Sequence, residues 1–157
     1  MGRSDQPQNV SNIDDRSRFV RTRMAADARS AARTRAEFGV WLERYFSLDD
    51  DRFSDLLLAV NEAIANAAEF AYVDAAERGT VDVRAAYDGA SDSLAVSVDD
   101  RGRWRQKKPL QYQQRMRGRG IPLMEALADD VTIDRAPQGG TRVTLTWTGL
   151  TRPGCNA

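Results

Sequence analysis

Just past residue 80 the chain changes its hydrophobic period, and that change constrains the fold more than any other feature. Before it, apolar residues recur at helical spacing in two runs. In "ADARSAARTRAEFGVWLERYF", Asp27 is placed to cap a helix, and Ala31, Ala32, Phe38, Leu42 and Phe46 fall near a 3.6-residue period. "SLDDD" breaks that pattern and caps a second helix over residues 52–76, whose buried face is Leu56, Leu57, Val60, Ile64, Ala67, Ala68 and Ala71. After "ERGT" the period becomes two. Val81, Val83 and Ala85 alternate with Asp82 and Arg84, "DGASD" forms a turn, and Leu94, Val96 and Val98 alternate in their turn, which predicts a β-hairpin. Residues 101–120 sustain neither period. "IPLMEALADD" predicts a helix with Pro122 in its first turn, and "VTIDRA" and "TRVTLTW" predict two strands around "PQGG". "RFVRTRM" at residues 18–24 predicts a short opening strand. The order β-α-α-β-β-loop-α-β-β implies an α+β fold: a two-layer sandwich with one mixed, mostly antiparallel sheet and helices on one face.

At 157 residues the chain suits one domain with one core. Residues 1–16 are polar and aperiodic and read as a disordered arm, residues 17–150 as the domain, and residues 151–157 as a flexible tail. Charges balance at 23 basic against 23 acidic, so no global field argues for nucleic acid or an acidic membrane. The lone cysteine, Cys155, allows no intrachain disulfide, which fits a reducing compartment. "MGRSDQPQNVSN" lacks an apolar signal region, Gln6 breaks the myristoylation pattern, and no apolar run approaches the ~20 residues that span a bilayer. A cytoplasmic protein is expected. There is no histidine, which removes histidine metal ligands, histidine bases and Ser-His-Asp triads from this chain. Its chemistry falls to carboxylates, amides, hydroxyls, arginines or a bound ligand.

"AVNEAIANAAEFAY" then raises a question, because Glu62, Asn66 and Glu69 interrupt the apolar pattern of a helix. Glu62 and Asn66 are four apart and share a face. A carboxylate one turn from a carboxamide suits a metal-bound phosphate, since an Asn oxygen is a hard ligand for Mg²⁺ and a Glu can take a proton or orient a hydroxyl. A plainly solvated polar face would give the same spacing. Two mid-helix asparagines, Asn61 and Asn66, are poor helix formers and weigh against that simpler account.

Three glycine-bearing boxes follow. "SVDDRGRW" sets Asp100 and Gly102 at a strand end, where a carboxylate can accept from an exocyclic amine and a glycine lets backbone approach a flat ring. "RGRGIPLMEAL" sets Gly118 and Gly120 before a helix, where exposed N–H groups suit phosphate. It is neither a P-loop nor a dinucleotide fingerprint. "QGGTRVTLTW" sets Gly139, Gly140 and Thr141 at the start of the last strand, with the Thr141 hydroxyl in reach of a base. An Asp-Gly turn, a helix cap and a hairpin turn are the ordinary explanations of the three. Residues 101–120 hold Arg101, Arg103, Arg105, Lys107, Lys108, Arg115, Arg117 and Arg119 and no acid, as a basic flap over polyphosphate would, or a nucleic-acid patch, or a surface for an acidic partner.

Taken in order, E-x-x-x-N on a helix, D-x-G at a strand end, G-x-G opening a helix and G-G-T on a strand resemble the GHKL ATPase superfamily with its Bergerat ATP-binding fold. Within it, "ADARSAARTR", "LLLAVNEAIANAAEFAY", "DDRGRW", "GRGIPLMEALADDVTI" and "GGTRVTLTW" are similar to the bacterial anti-sigma factor serine/threonine kinases, over residues 18–147. The resemblance implies ATP and Mg²⁺, with Asn66 on the metal and Glu62 as general base or hydroxyl-orienting group. It implies Asp100 on the adenine amine and Gly102 beneath the ring. Gly118, Arg119 and Gly120 would contact phosphate, and Thr141 would support the adenine end. It further implies a sigma factor and an anti-anti-sigma protein of the STAS type as partners, a homodimer, and no direct contact with nucleic acid or membrane. One departure stands out. The family usually carries histidine four residues after the asparagine, and here Phe70 stands there, behind Glu69. It favours the alternative of a nucleotide-binding, partner-switching module that sequesters with little or no phosphotransfer. A histidine-kinase domain acting in trans, or a DNA-binding role for the basic flap, fits less well.

Overall fold

The structure, a computed structural model, describes residues 14–71 (the backbone alone at 69–71), 79–100, 121–135 and 140–151. In chain order its elements are β1 (Arg18–Ala25), α1 (Ala28–Tyr45), α2 (Asp50–Ala71), β2 (Thr80–Asp88), β3 (Ser93–Asp100), α3 (Ile121–Leu127), β4 (Asp130–Arg135) and β5 (Thr141–Thr148). The described strands form one five-stranded sheet in the order β1-β2-β3-β5-β4. All four pairings are antiparallel. The expected α+β class, the helix-over-sheet layering and the order of elements are observed.

Local chemistry sets the helix starts. The Asp27 carboxylate accepts from Ser30 N at 2.7 Å and caps α1. Asp49 does the same for α2, accepting from Arg52 N at 2.7 Å, with Asp50 and Asp51 adding negative charge to the first turn. The predicted second helix therefore starts two residues earlier than its apolar pattern suggested, and the last part of that expectation, residues 72–76, lies outside the described residues.

β1 holds the main surprise. Phe19 and Met24 are both buried, yet five residues apart they would face opposite sides of a regular strand. The register shifts between Arg21 and Met24, where three steps on β1 oppose two on β2. This bulge turns Met24 inward. Arg23 absorbs it at φ 57°, and its N–H donates to the Asp82 carboxylate at 2.8 Å. Asp82 is only 1 % exposed, so a charged residue that alternation assigned to the solvent face instead holds the bulge.

The core lies between the sheet and α1 and α2. β2 contributes Val81, Val83 and Ala85, β3 Leu94, Val96 and Val98, and β5 Val143, Leu145 and Trp147. α2 covers them with Leu56, Val60, Ala63, Ile64 and Ala67. Phe19, Phe38 and Trp41 form an aromatic cluster with centroids 5.5–5.8 Å apart. Trp41 Nε1 donates to Asp15 O at 2.7 Å, and Arg21 is held by Asp14 and Glu37 while it lies over Phe19. Asp14 and Asp15, which composition grouped with the arm, are therefore tied to the folded domain. The same holds at the other end, where Thr151 N donates to Asp92.

Candidate functional site

α2 is the element that positions the polar stripe. α1 packs on it through Phe53 and Leu57, which lie beneath Gly39, and through Asn61, whose Oδ1 accepts from Arg35 Nη1 at 2.8 Å. At roughly 100° per residue, Glu62 and Asn66 fall on nearly the opposite side of the helix from that contact. Both are half-buried, bordered by the core residues Ala59, Ala63 and Ala67. The two mid-helix asparagines thus separate. Asn61 is a tie between helices. Asn66 has its Nδ2 buried with no hydrogen-bond partner among the described residues. A buried amide left unpaired costs about 1–3 kcal/mol, so its place in α2 calls for an explanation.

Asp100 closes β3 on the face that carries Leu94, Val96 and Val98, toward α2, and is 5 % exposed. It pairs with Val81 on one side and Thr141 on the other. Two residues from separate boxes, Asp100 and Thr141, are therefore direct cross-strand neighbours at one end of the sheet. Gly140, directly before Thr141, has φ 95°. On the outer face of the next pair along, Arg142 donates to Asp99 through Nε and Nη2 at 2.7 and 3.0 Å. That carboxylate raises the Arg142 pKa above its ordinary value.

Gly102, Gly118, Arg119 and Gly120 lie outside the described residues, with the whole basic segment 101–120, and so do the side chains of Glu69 and Phe70. The chain resumes at Ile121, the first residue of α3, directly after Gly120. Among the described residues no group of three Asp, Glu, Cys or His is placed to hold a metal ion. An Mg²⁺ bound here would take few protein ligands and fill its shell from phosphates and water, which is its common habit. The unsatisfied amide of Asn66 fits that use, because turning it about its last torsion presents Oδ1 in place of Nδ2. No helix among the described residues is long and apolar enough to cross a membrane.

A helix layer over one face of an antiparallel sheet, with a carboxylate–carboxamide stripe on the central helix and a buried aspartate at the neighbouring strand end, is the architecture of a GHKL-type ATPase domain. The chain belongs to the histidine kinase-like ATPase domain family, whose model matches residues 24–147. Among solved structures it is similar to the RsbU and RsbW domains of Rv1364c from Mycobacterium tuberculosis, with 27 % identity and a TM-score of 0.63. That match covers 89 % of this chain and 34 % of the other, so it spans about a third of the chain it matches. The family resemblance drawn from the motifs is borne out.

Proposed function

We propose that the protein is an anti-sigma factor with ATP-dependent protein serine/threonine kinase activity. It sequesters a sigma factor and phosphorylates a hydroxyl on an anti-anti-sigma partner of the STAS type. Family membership and the likeness to a structure containing an RsbW domain support this reading. The observation that carries it is the buried amide of Asn66, unpartnered among the described residues and one turn from Glu62.

Phosphoryl transfer asks for positioning and charge more than covalent help, which suits a chain without histidine. Asp100 accepts a hydrogen bond from the adenine amine, and Thr141 supports the base from the adjacent strand. Asn66 holds Mg²⁺, which when bound offsets charge on the phosphates. Glu62 accepts the proton of the attacking serine or threonine hydroxyl. The new oxygen–phosphorus bond forms at the γ-phosphorus, the bond to the β–γ bridging oxygen breaks, and ADP leaves.

The test is calorimetric titration with ATP, with and without Mg²⁺, followed by transfer of label from γ-phosphate to the partner. Wild type is expected to bind ATP in an Mg²⁺-dependent way, and Asp100→Asn to bind it at least about tenfold more weakly. Glu62→Gln is expected to keep ATP and lose transfer. Transfer that is absent from wild type while sequestration persists would favour the partner-switching module instead. No binding by wild type at millimolar ATP would refute both.

A further inference from the structure

We infer that Gly140 is a positioning residue for base recognition: its missing side chain is what allows Asp100 to stand at the adenine end of the site. A Cβ built on Gly140 would lie 2.7 Å from the Asp100 carbonyl oxygen, closer than real Cβ atoms come, and the atom it meets is backbone. Gly140 also sits at φ 95°, where an L-residue is strained. A hairpin glycine chosen only for its φ would not need open space on that side. This one needs both.

The strand end at Asp100 is held on both sides. Asp100 is paired with Val81 and with Thr141 at once, and the neighbouring Asp99 and Arg142 are joined by two hydrogen bonds. Relief that displaces the Asp100 main chain moves its Cα, and the carboxylate carried on that Cα moves with it. Gly140 therefore acts on the base through Asp100 and touches no reacting atom. This rests on the proposed role of Asp100 at the adenine amine.

The readout is the preference for ATP over inosine triphosphate, which replaces the 6-amine with a carbonyl. A charged hydrogen bond gives wild type a preference of at least about tenfold. Asp100→Asn and Gly140→Ala are both expected to lose that preference, while Gly140→Ala binds inosine triphosphate within about twofold of wild type. Gly149→Ala is the control. Gly149 has φ 59° at the far end of β5, so the variant strains a turn but keeps the preference. If Gly140→Ala does not fold, Gly140→Asn carries the same expectation, since asparagine tolerates positive φ better yet still places a Cβ against the Asp100 carbonyl. A folded position-140 variant that keeps the wild-type preference overturns the inference and leaves the adenine reading intact. A wild type with no preference refutes the adenine reading, and the inference falls with it.

Discussion

Asn66→Ala should make the nucleotide-free protein more stable while destroying its binding of Mg·ATP. The reasoning begins with the amide nitrogen, buried without a partner among the described residues. Such a group costs about 1–3 kcal/mol, and alanine removes it. Alanine also gains about 0.5 kcal/mol of helix propensity over asparagine in the middle of α2. Against this stands the packing that a half-buried side chain gives up on truncation, about 1 kcal/mol at most. The balance is a gain of about 1 kcal/mol, which for a chain of this size raises Tm by about 2–4 °C. Urea and thermal unfolding in chelator, with no nucleotide, would measure it. The same samples titrated with ATP and Mg²⁺ should show binding by wild type only. Loss of more than about 1 kcal/mol in the nucleotide-free variant would mean that the amide is paired within the fold, and the case for a ligand at Asn66 would fail.

Three further outcomes test the frame around the site. Asp82→Ala should cost about 2 kcal/mol in urea unfolding, because it strands the Arg23 N–H at the β1 bulge, whereas Asp82→Asn should recover much of that loss. Gly39→Ala should stabilise by about 0.5–1 kcal/mol, since the new Cβ would meet Leu57 at an ordinary 3.5 Å and helix propensity improves; a lower unfolding midpoint would mean that α1 and α2 cannot take the extra methyl. Tyr87 donates to Asp92 at 2.6 Å, and that hydrogen bond raises its pKa above the ordinary 10.0. A raised folded-state pKa gives stability that is full below 10.0 and fades as pH climbs through the folded value. Wild type should therefore be more stable than Tyr87→Phe near neutrality and lose that advantage in strong alkali; a difference constant with pH would contradict the assignment.

Most of the fold was legible because its signals are local. The switch from a 3.6 to a 2 period marks where helices give way to sheet, and Asp27 announces α1 by its own capping chemistry. What stayed hidden depends on partners distant in sequence. The bulge that turns Met24 inward exists because Asp82, fifty-nine residues after Arg23, is there to take an extra N–H. Alternation predicts an exposed Asp82, and nothing nearby in the sequence says otherwise. The arm's boundary failed to show for the same reason: Asp14 and Asp15 look like linker until Arg21 and Trp41 are seen to hold them.

The site shows a subtler limit. Asn61 and Asn66 are the same residue type in the same helix, and both break its pattern. Only Asn66 stands four residues from Glu62, so spacing already separates them. Their difference is also energetic: Asn61 ends in a hydrogen bond to Arg35, and Asn66 ends in a buried donor with nothing to bind among the described residues. A fold optimised only for its own stability would fill or remove the second, as the Asn66→Ala prediction assumes. The motif spacing pointed to Asn66, and the structure adds that its amide, unlike that of Asn61, has no partner among the described residues. The same logic applies to the glycines. A positive φ alone, as at Gly149, describes a turn; positive φ joined to a 2.7 Å approach on the Asp100 carbonyl, as at Gly140, describes a turn packed against the backbone of a particular strand end.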